Sequence, residues 1–322
     1  MAYETGTAAD YQDLLLKLET FLTTNPELVR QGQQWQSLKD NTVNPYTTDK
    51  TLNTEGFSLI RFFMGGGLDG QDKIIVPMAC RGDSTRGYSN VVAYSARAYS
   101  NSKGLVNQLN DTAAGVSVFA ASLTCWVNQI KYWFFANGRR FIVVAKVGHR
   151  YTSMYAGFFM PSGTDIEYPY PYAIGGTSGG SEVPYSTEAV SRVRSFFNPQ
   201  SYDSNTASYS SLTAFNPQGS AVQFDNYDGY TASSSYAKGS TLPYGLSLNT
   251  YKTMDNQYLL LPIELIEFGN SRQSLGWFDG CYHVSGHENA AENVITVGSD
   301  EYICFPSLIQ NDNNNWVAIR KA

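Results

Sequence analysis

One stretch of the chain has the residues for serine-hydrolase chemistry. Ser178 lies in Gly-Thr-Ser-Gly-Gly and fits the Gly-x-Ser-x-Gly pattern, in which the serine is the nucleophile. His283 or His287, with Asp255 or Asp279, would complete the chain order Ser, Asp, His. This chemistry also needs a strained strand-to-helix turn and an oxyanion hole. Because prolines break the preceding strand and the surroundings are rich in Gly and Ser, we favour a flexible loop and predict no catalytic residue.

A second stretch, CYHVSGHEN at 281–289, has side chains that bind metals. It offers Cys281, His283, His287 and Glu288, and zinc requires three or four such ligands converging on one point. On a strand, positions 281 and 283 would share a face, and Ser-Gly could turn His287 back toward them. The spacing matches no standard zinc pattern. We therefore favour a strand followed by a turn with exposed imidazoles, and predict no metal and no cofactor.

Two further motifs have simpler explanations. The sequence GGGLDG at 65–70 could cradle a phosphate, but it lacks the Lys and Ser/Thr of a P-loop and is interpreted as a hairpin turn. The tripeptide Arg81-Gly82-Asp83 is a common chance match to a cell-adhesion motif and receives no role.

The composition favours a β-rich protein and argues against a coiled coil or a disordered chain. The 322 residues include 42% hydrophobic and 16% charged residues, with 23 Tyr and 28 Gly, which is typical of strands joined by many turns. The net charge is −6 without a dense basic run, so nucleic-acid binding is not expected. The first residues, MAYETGTAAD, do not resemble a signal peptide, so we expect folding in a cytoplasm. The four cysteines are then expected to be buried free thiols.

The strongest structural signal is a hairpin at 131–147. Asn137-Gly138 separates two apolar runs and suits a type I′ turn, in which both central residues have positive φ. The predicted strands are 131–136 and 139–147, followed by a third at 149–161 that ends at a proline. Both faces of 139–147 are apolar, which predicts burial on both sides. The runs are too short and too interrupted for a membrane-spanning segment, so no membrane insertion is expected.

Periodicity and turn residues predict the remaining elements. Apolar residues at helical spacing predict one amphipathic helix at 9–24, stopped by Asn-Pro. Strands are predicted at 57–64 and 73–80, and near 91–99. Strands return after residue 257, where Gly298-Ser299-Asp300 is predicted to turn a hairpin.

Residues 177–250 are dense in Ser, Tyr, Asn and Gly. The irregular spacing of the tyrosines cannot line one strand face, which requires a period of two, so we expect this region to lie outside the β core. Tyr side chains stack on sugars or line protein interfaces, and the interface is favoured. The tyrosines in question are Tyr185, Tyr202, Tyr209, Tyr227, Tyr230, Tyr236 and Tyr244.

Together these signals predict a mainly β protein: an antiparallel, β-sandwich-like body with an N-terminal amphipathic helix. Four regions are expected. They are an N-terminal helix and arm at 1–50, a first β region with the central hairpin at 51–176, the loop or interface region at 177–250 and a C-terminal β region at 251–322.

The sequence also resembles virion structural proteins of tailed bacteriophages. The similar stretches cover roughly a third to a half of the chain, mostly its ends and middle. They are MAYETGTAADYQDLLLKLETFLTTN, the most specific stretch YWFFANGRRFIVVAKVGHRYTSMYAGFFMP with EYPYPYAIGG, and the C-terminal FDGCYHVSG, AAEN and WVAIRK. GGGLDGQDKIIVPMACRG stands where the group tends to have a turn and a second strand of similar pattern. The 177–250 region is not covered.

The resemblance implies a non-enzymatic structural subunit of the tail, baseplate or neck, made in the host cytoplasm and built into the virion. Its expected partners are other virion proteins and copies of itself in a symmetric ring. The alternatives are a receptor- or glycan-binding virion protein that uses the Tyr-rich 177–250 region, and the serine hydrolase described above.

Overall fold

A computed structural model shows a mainly β protein with antiparallel sheets and an N-terminal helical region, which confirms the predicted fold class. The structure describes residues 1–38, 57–67, 74–83, 88–94, 96–100, 104–108, 121–164, 167–168, 170–176, 195–198, 212–219, 221–224, 237–241, 257–268, 272–307 and 316–321. Ser178, Asp255 and the seven tyrosines named above lie outside these residues.

The elements follow one another in three groups. The first elements are β1 (Ala2–Ala8), α1 (Tyr11–Thr24), α2 (Pro26–Arg30), β2 (Gln36–Ser37), β3 (Phe57–Gly65), β4 (Ile74–Asp83), β5 (Tyr88–Ala93), β6 (Ala96–Ser100), β7 (Gly104–Gln108) and β8 (Ala121–Cys125). The central strands are β9 (Ile130–Ala136), β10 (Arg140–Val147), β11 (Arg150–Phe158), β12 (Met160–Pro161) and β13 (Tyr172–Gly175). The last strands are β14 (Leu212–Phe215), β15 (Ala221–Phe224), β16 (Ala237–Ser240), β17 (Leu261–Phe268), β18 (Arg272–Val284), β19 (Val294–Val297), β20 (Asp300–Pro306) and β21 (Trp316–Arg320).

Helix α1 forms where the apolar periodicity predicts it. Asp10 caps its N-terminus, because its carboxylate accepts hydrogen bonds from the N–H groups of Gln12 and Asp13. One face is buried, through Leu14, Leu15, Leu18, Phe21 and Leu22. Asn25 ends α1 and caps the short helix α2, in which Pro26 takes the first position. The helix therefore has local signals at both ends and an apolar face that requires a partner.

The central hairpin supplies that partner. Strands β9, β10 and β11 pair in an antiparallel meander, as predicted, and β10 is buried on both faces. Phe141, Val143 and Ala145 point into a first core shared with α1 and the smaller sheet. Ile142 and Val144 point into a second core within the larger sheet. The meander is thus the middle layer of the molecule.

The turn of this hairpin differs from the prediction. Phe141 pairs with Ala136, and the N–H of Asn137 donates to the carbonyl of Arg140, so Gly138 and Arg139 are the central residues. Neither has positive φ, and the type I′ assignment is wrong. The side-chain oxygen of Asn137 accepts hydrogen bonds from the N–H groups of Arg139 and Arg140, which stabilises the turn instead.

Gly138 is required for space. A Cβ atom there would lie 2.0 Å from the carbonyl oxygen of Gly67, whose own N–H donates to the carbonyl of Gly138 at 3.0 Å. Gly67 lies in the glycine-rich stretch that was interpreted as a hairpin turn, and β3 and β4 on either side of it do pair antiparallel. The two glycine-containing turns therefore pack against each other.

The smaller sheet has seven strands in the described part of the chain, with the order β2-β3-β4-β5-β8, and β6 pairs with β4 and β7 with β6. It lies on the α1 side of the meander and contributes Phe63, Val76, Met78, Val91 and Leu123 to the first core. The predicted strands near 57–64, 73–80 and 91–99 all lie in it, the last divided into β5 and β6.

The larger sheet has fourteen strands, as far as the chain is described, in the order β1-β9-β10-β11-β13-β14-β15-β16-β17-β18-β21-β20-β19 with β12 on β18. It folds over so that its two halves face each other: Trp133 of β9 packs on Phe305 of β20 at 5.1 Å between ring centroids. Likewise Tyr155 of β11 packs on Phe278 of β18 at 4.5 Å. This sandwich encloses the second core.

The described parts of region 177–250 belong to that sandwich, so their predicted exclusion from the β core is wrong. Strands β14, β15 and β16 link the two halves of the larger sheet, and Phe196 and Phe197 are buried in the second core. The strands are only four residues long, which is why a Ser- and Asn-rich composition hid them.

Two other predictions are confirmed, one for a hairpin and one for the cysteines. β19 and β20 form a hairpin around Gly298, whose φ of 63° suits the first central position of a type II′ turn. All four cysteines are buried free thiols. Among the described helices, none has the length and apolarity needed to span a bilayer.

Candidate functional site

The larger sheet ends in two strands that have one neighbour each. β1 pairs only with β9, and β19 pairs only with β20, within the described residues. Lys131 of β9 binds Glu292, which lies two residues before β19, so the two ends border the same side of the sandwich. We call this side, formed by β1 and β19, the open side.

Both end strands present main-chain polar groups to the outside. In an antiparallel ladder, alternate residues turn their N–H and C=O toward the same neighbour. In the β19–β20 hairpin the closing pair Val297–Asp300 is the hydrogen-bonded one, so Val294 and Thr296 face outward. Glu301 is the residue opposite Thr296. Its carbonyl points away from β19 and accepts a hydrogen bond from the N–H of Lys321, as this alternation requires.

The same reasoning applies to β1. The hydrogen bond from Asn137 to Arg140 fixes which residues of β9 bond to β10, and the others bond to β1. With the observed β1–β9 register, Tyr3, Thr5 and Thr7 turn their N–H and C=O away from the sheet.

The exposed side chains along these strands are uncharged, and the one acid of β1, Glu4, is half-buried and accepts a hydrogen bond from the Tyr132 hydroxyl. Val294 and Val297 are 45% and 48% exposed, and Thr5 and Thr7 are also exposed. β19 has no Lys, no Pro and no charged residue, which are common ways in which proteins block a sheet edge. Apart from its short length, nothing in β19 prevents pairing with another strand.

An ion-pair network holds the start of β19 against the meander. The Glu292 carboxylate lies 2.6 Å from Lys131 Nζ, 3.2 Å from Lys146 Nζ and 2.7 Å from the Tyr151 hydroxyl, which donates to it. Burial opposes ionisation of Glu292, but these hydrogen bonds outweigh it and lower the pKa of the carboxyl group. Burial and the bond to Glu292 raise the pKa of Tyr151.

Glu292 also has a positive φ of 69°, which is uncommon for a residue with a side chain. Its N–H donates to the carbonyl of Cys304 at 2.8 Å, so main chain and side chain together fix this residue. In this strained conformation the carboxylate reaches both lysines, so Glu292 links the start of β19 to β9 and β10.

Two further ion pairs lie on this side. Arg320 lies 2.9 Å from Asp300, and Lys321 lies 2.7 Å from Glu301. Lys321 also lies 5.4 Å from the ring centroid of Tyr3 on β1. The open side therefore has neutralised acids at its rim and apolar or hydroxyl side chains along its strands.

The structure does not bring the described members of the predicted serine-hydrolase set together. Asp279 binds the buried guanidinium of Arg140 at 3.2 Å and the amide of Asn137 at 2.7 Å. His283 is buried, and its Nε2 lies 3.0 Å from the carbonyl oxygen of Thr241. His287 is half exposed beside Glu288.

The four residues of the CYHVSGHEN motif are also apart. Cys281 lies in the second core and His283 is enclosed, whereas His287 and Glu288 are exposed. The expectation of exposed imidazoles is correct for His287 and wrong for His283, whose pKa burial lowers to about 4. Among the described residues, no three His, Cys, Asp or Glu side chains are placed to hold a metal ion.

Arg81, Gly82 and Asp83 end strand β4 and pair with β5. A Cβ atom on Gly82 would lie 2.9 Å from the hydroxyl of Tyr11, so helix α1 packs against this tripeptide. The tripeptide is therefore part of a strand in the smaller sheet.

One further exposed apolar pair lies on the second half of the sandwich. Met160 of β12 is directly opposite Trp277 of β18, and they are 38% and 40% exposed. A Trp in such a position offers a large contact area to a partner.

Sequence reasoning missed the residues that define the open side. β1 has the sequence AYETGTA, in which only the two terminal alanines are buried, so no alternating apolar pattern marks it. Lys131, Lys146, Tyr151 and Glu292 meet only because the sheet folds over. The one signal available was the short uncharged run VITV before a Gly-Ser turn.

Neither a scan against protein-family models nor a search of curated proteins finds a match to this chain.

Proposed function

We propose that the chain is a non-enzymatic structural subunit of a tailed-phage virion, associated with the tail, baseplate or neck. In the particle it forms a symmetric ring with copies of itself and contacts other virion proteins. The sequence resemblance supplies the phage context. The observation that carries the assembly role is the open side, where two strands of one sheet each lack a second neighbour in the described chain.

A subunit that forms a ring needs two complementary surfaces that repeat on every copy. Unpaired strand edges meet this need, because main-chain N–H and C=O groups pair with any strand of suitable register. β1 and β19 are two such edges. Their exposed side chains are Val and Thr, which favour strand pairing.

The test of the virion role is localisation in purified particles. We expect mass spectrometry to detect the protein at an integral copy number per virion. Antibody labelling should place it at the tail, baseplate or neck. Absence from particles that are infectious would contradict the proposal.

The non-enzymatic part is tested at Ser178. A fluorophosphonate probe should leave the protein unlabelled, and Ser178→Ala should assemble like the wild type. Stoichiometric labelling at Ser178 would instead support the hydrolase.

A second candidate is a receptor- or glycan-binding virion protein. The exposed Trp277, opposite Met160, favours it because a Trp ring stacks on sugars and anchors protein contacts. Virions with Trp277→Ala that assemble normally but adsorb poorly to host cells would support this function. Normal adsorption would count against Trp277 as the contact.

A further inference from the structure

We propose that the open side is the contact between neighbouring copies of this chain, and that the outer edge of β19 in one copy pairs with the outer edge of β1 in the next. The inference rests on the proposed function, since it names the surface by which the ring would form.

The two edges match in their main-chain groups. Val294 and Thr296 present N–H and C=O groups from β19, and Tyr3, Thr5 and Thr7 present them from β1. Each strand therefore offers donors and acceptors at every second residue, which is the spacing that a new ladder requires. In the described chain, neither edge has another strand against it.

The side chains also match. Four of the five outward-facing residues are β-branched: Val294, Thr296, Thr5 and Thr7. Cross-strand pairs of β-branched residues and Thr–Thr pairs stabilise a sheet, each by roughly 0.2–1 kcal/mol. Pairing would also cover Val294 and Val297, which the isolated subunit leaves about half exposed.

The charges favour a second copy of this chain as the occupant. Glu292 is neutralised by two lysines, Asp300 by Arg320 and Glu301 by Lys321, all within one chain. Two copies meeting here would bring no unpaired acids together from these residues, and Glu4 of β1 is half-buried against the Tyr132 hydroxyl, although the chain as a whole has a net charge of −6. A basic partner would find no free acid among these residues.

The pairing of two different edges follows from ring symmetry. A contact that joins β19 to β19 uses one edge of each copy and leaves β1 unpaired, whereas β19 on β1 uses both edges of every copy.

Cysteine cross-linking tests this pairing. All four native cysteines are buried, so oxidation should cross-link only the thiols introduced by Thr296→Cys and Thr5→Cys. Opposed residues of paired strands have Cα atoms about 4.5–5.5 Å apart, within the span of a disulfide. Val127→Cys, at a residue that is 67% exposed in the loop before β9 and belongs to neither edge strand, is the control.

The two single variants are supplied together to a phage that lacks its own copy of the gene, and particles are purified and oxidised. We expect a disulfide-linked dimer joining Thr296→Cys to Thr5→Cys. If the register is shifted, the dimer should form instead when Thr7→Cys replaces Thr5→Cys in the mixture. Neither Thr296→Cys alone nor Val127→Cys should form dimers. Dimers from Thr296→Cys alone would overturn the β19–β1 pairing in favour of β19–β19.

A main-chain test is independent of register. Thr296→Pro removes an outward N–H, whereas Ile295→Pro removes one that bonds to β20. We expect Thr296→Pro to melt within a few degrees of the wild type and to be absent from particles, and Ile295→Pro to melt lower. Incorporation of Thr296→Pro at the wild-type level would overturn the inference. Cysteine variants that enter virions but form no edge cross-link would also overturn the inference and leave the proposed function intact. Absence of the wild-type protein from virions would overturn the function itself.

Discussion

The guanidinium group of Arg140 is fully buried, 3.2 Å from the carboxylate of Asp279, and this contact joins the central hairpin to the opposite half of the sandwich. Asn137 donates a second hydrogen bond to the same carboxylate at 2.7 Å. Burial opposes ionisation of Asp279, but Arg140 and Asn137 outweigh it and lower the pKa of the carboxyl group. One carboxylate thus fixes both the hairpin turn and a buried cation.

Removing that carboxylate should be costly. In Asp279→Asn the guanidinium would remain buried without its counter-charge, and we expect a loss on the order of 3 kcal/mol in the free energy of unfolding. Urea denaturation measures this loss. Asp300→Asn is the matched control, since its pair with Arg320 is partly exposed to solvent and should be worth less than about 1 kcal/mol. Equal effects of the two substitutions would show that the Arg140 contact has no special weight.

A charge at Val143 should prevent folding. The residue is 1% exposed in the first core, and an unpaired carboxylate there loses its hydration without compensation. We expect Val143→Asp to be insoluble or unfolded by circular dichroism. Val127→Asp makes the same change at an exposed position and should express and melt like the wild type. A soluble Val143→Asp with normal melting would contradict the buried placement of β10.

Two glycine substitutions separate lack of space from backbone strain. Gly298 has positive φ with nothing within 4 Å of a Cβ, so Gly298→Asn meets backbone strain alone, which Asn bears better than most residues, and should lose no more than about 1 kcal/mol. Gly138 has ordinary φ but no room beside the Gly67 carbonyl, so Gly138→Asn should lose about 1–3 kcal/mol. Thermal unfolding of both variants is the measurement. If Gly138→Asn were as stable as Gly298→Asn, the contact with Gly67 would not be the reason for this glycine.

His283 should make the fold sensitive to mild acid. Its pKa is lowered from 6.5 to about 4, so between these values the unfolded chain binds a proton that the folded chain does not. Stability is therefore complete above pH 6.5 and is lost as the pH falls toward 4, by about 3 kcal/mol from this residue. Urea midpoints at pH 7 and pH 4.5 should converge in His283→Asn, which does not titrate. An unchanged pH dependence in that variant would assign acid sensitivity to other groups.

Local signals were sufficient for part of the fold. Helix α1 has its apolar spacing, its cap and its stop within one short stretch, and β9, β10 and β11 are neighbours in sequence and in space. In such elements, the type of each residue reflects contacts with residues that are close to it in the sequence. The fold class and the burial of both faces of β10 followed from those stretches.

The parts that sequence did not predict depend on distant partners. β1 has few apolar residues and exists as a strand because β9 offers it an edge. Gly138 is constrained by Gly67, and Glu292 by two lysines on the meander, and no local pattern records either contact. The short strands β14 to β16 are stabilised by neighbours on both sides in the sheet, not by their own composition.

The position of β1 has a consequence for how the chain is made. Thr5 bonds to Tyr132, 127 positions later, so β1 leaves the ribosome well before β9, the strand with which it pairs. At ordinary rates of translation the delay is on the order of ten seconds. Throughout that time β1 is unpaired on both edges, and the apolar face of α1 has not yet met the hairpin that covers it. Such non-local contacts slow folding, and the N-terminal segment is therefore where we expect a nascent chain of this protein to need a chaperone.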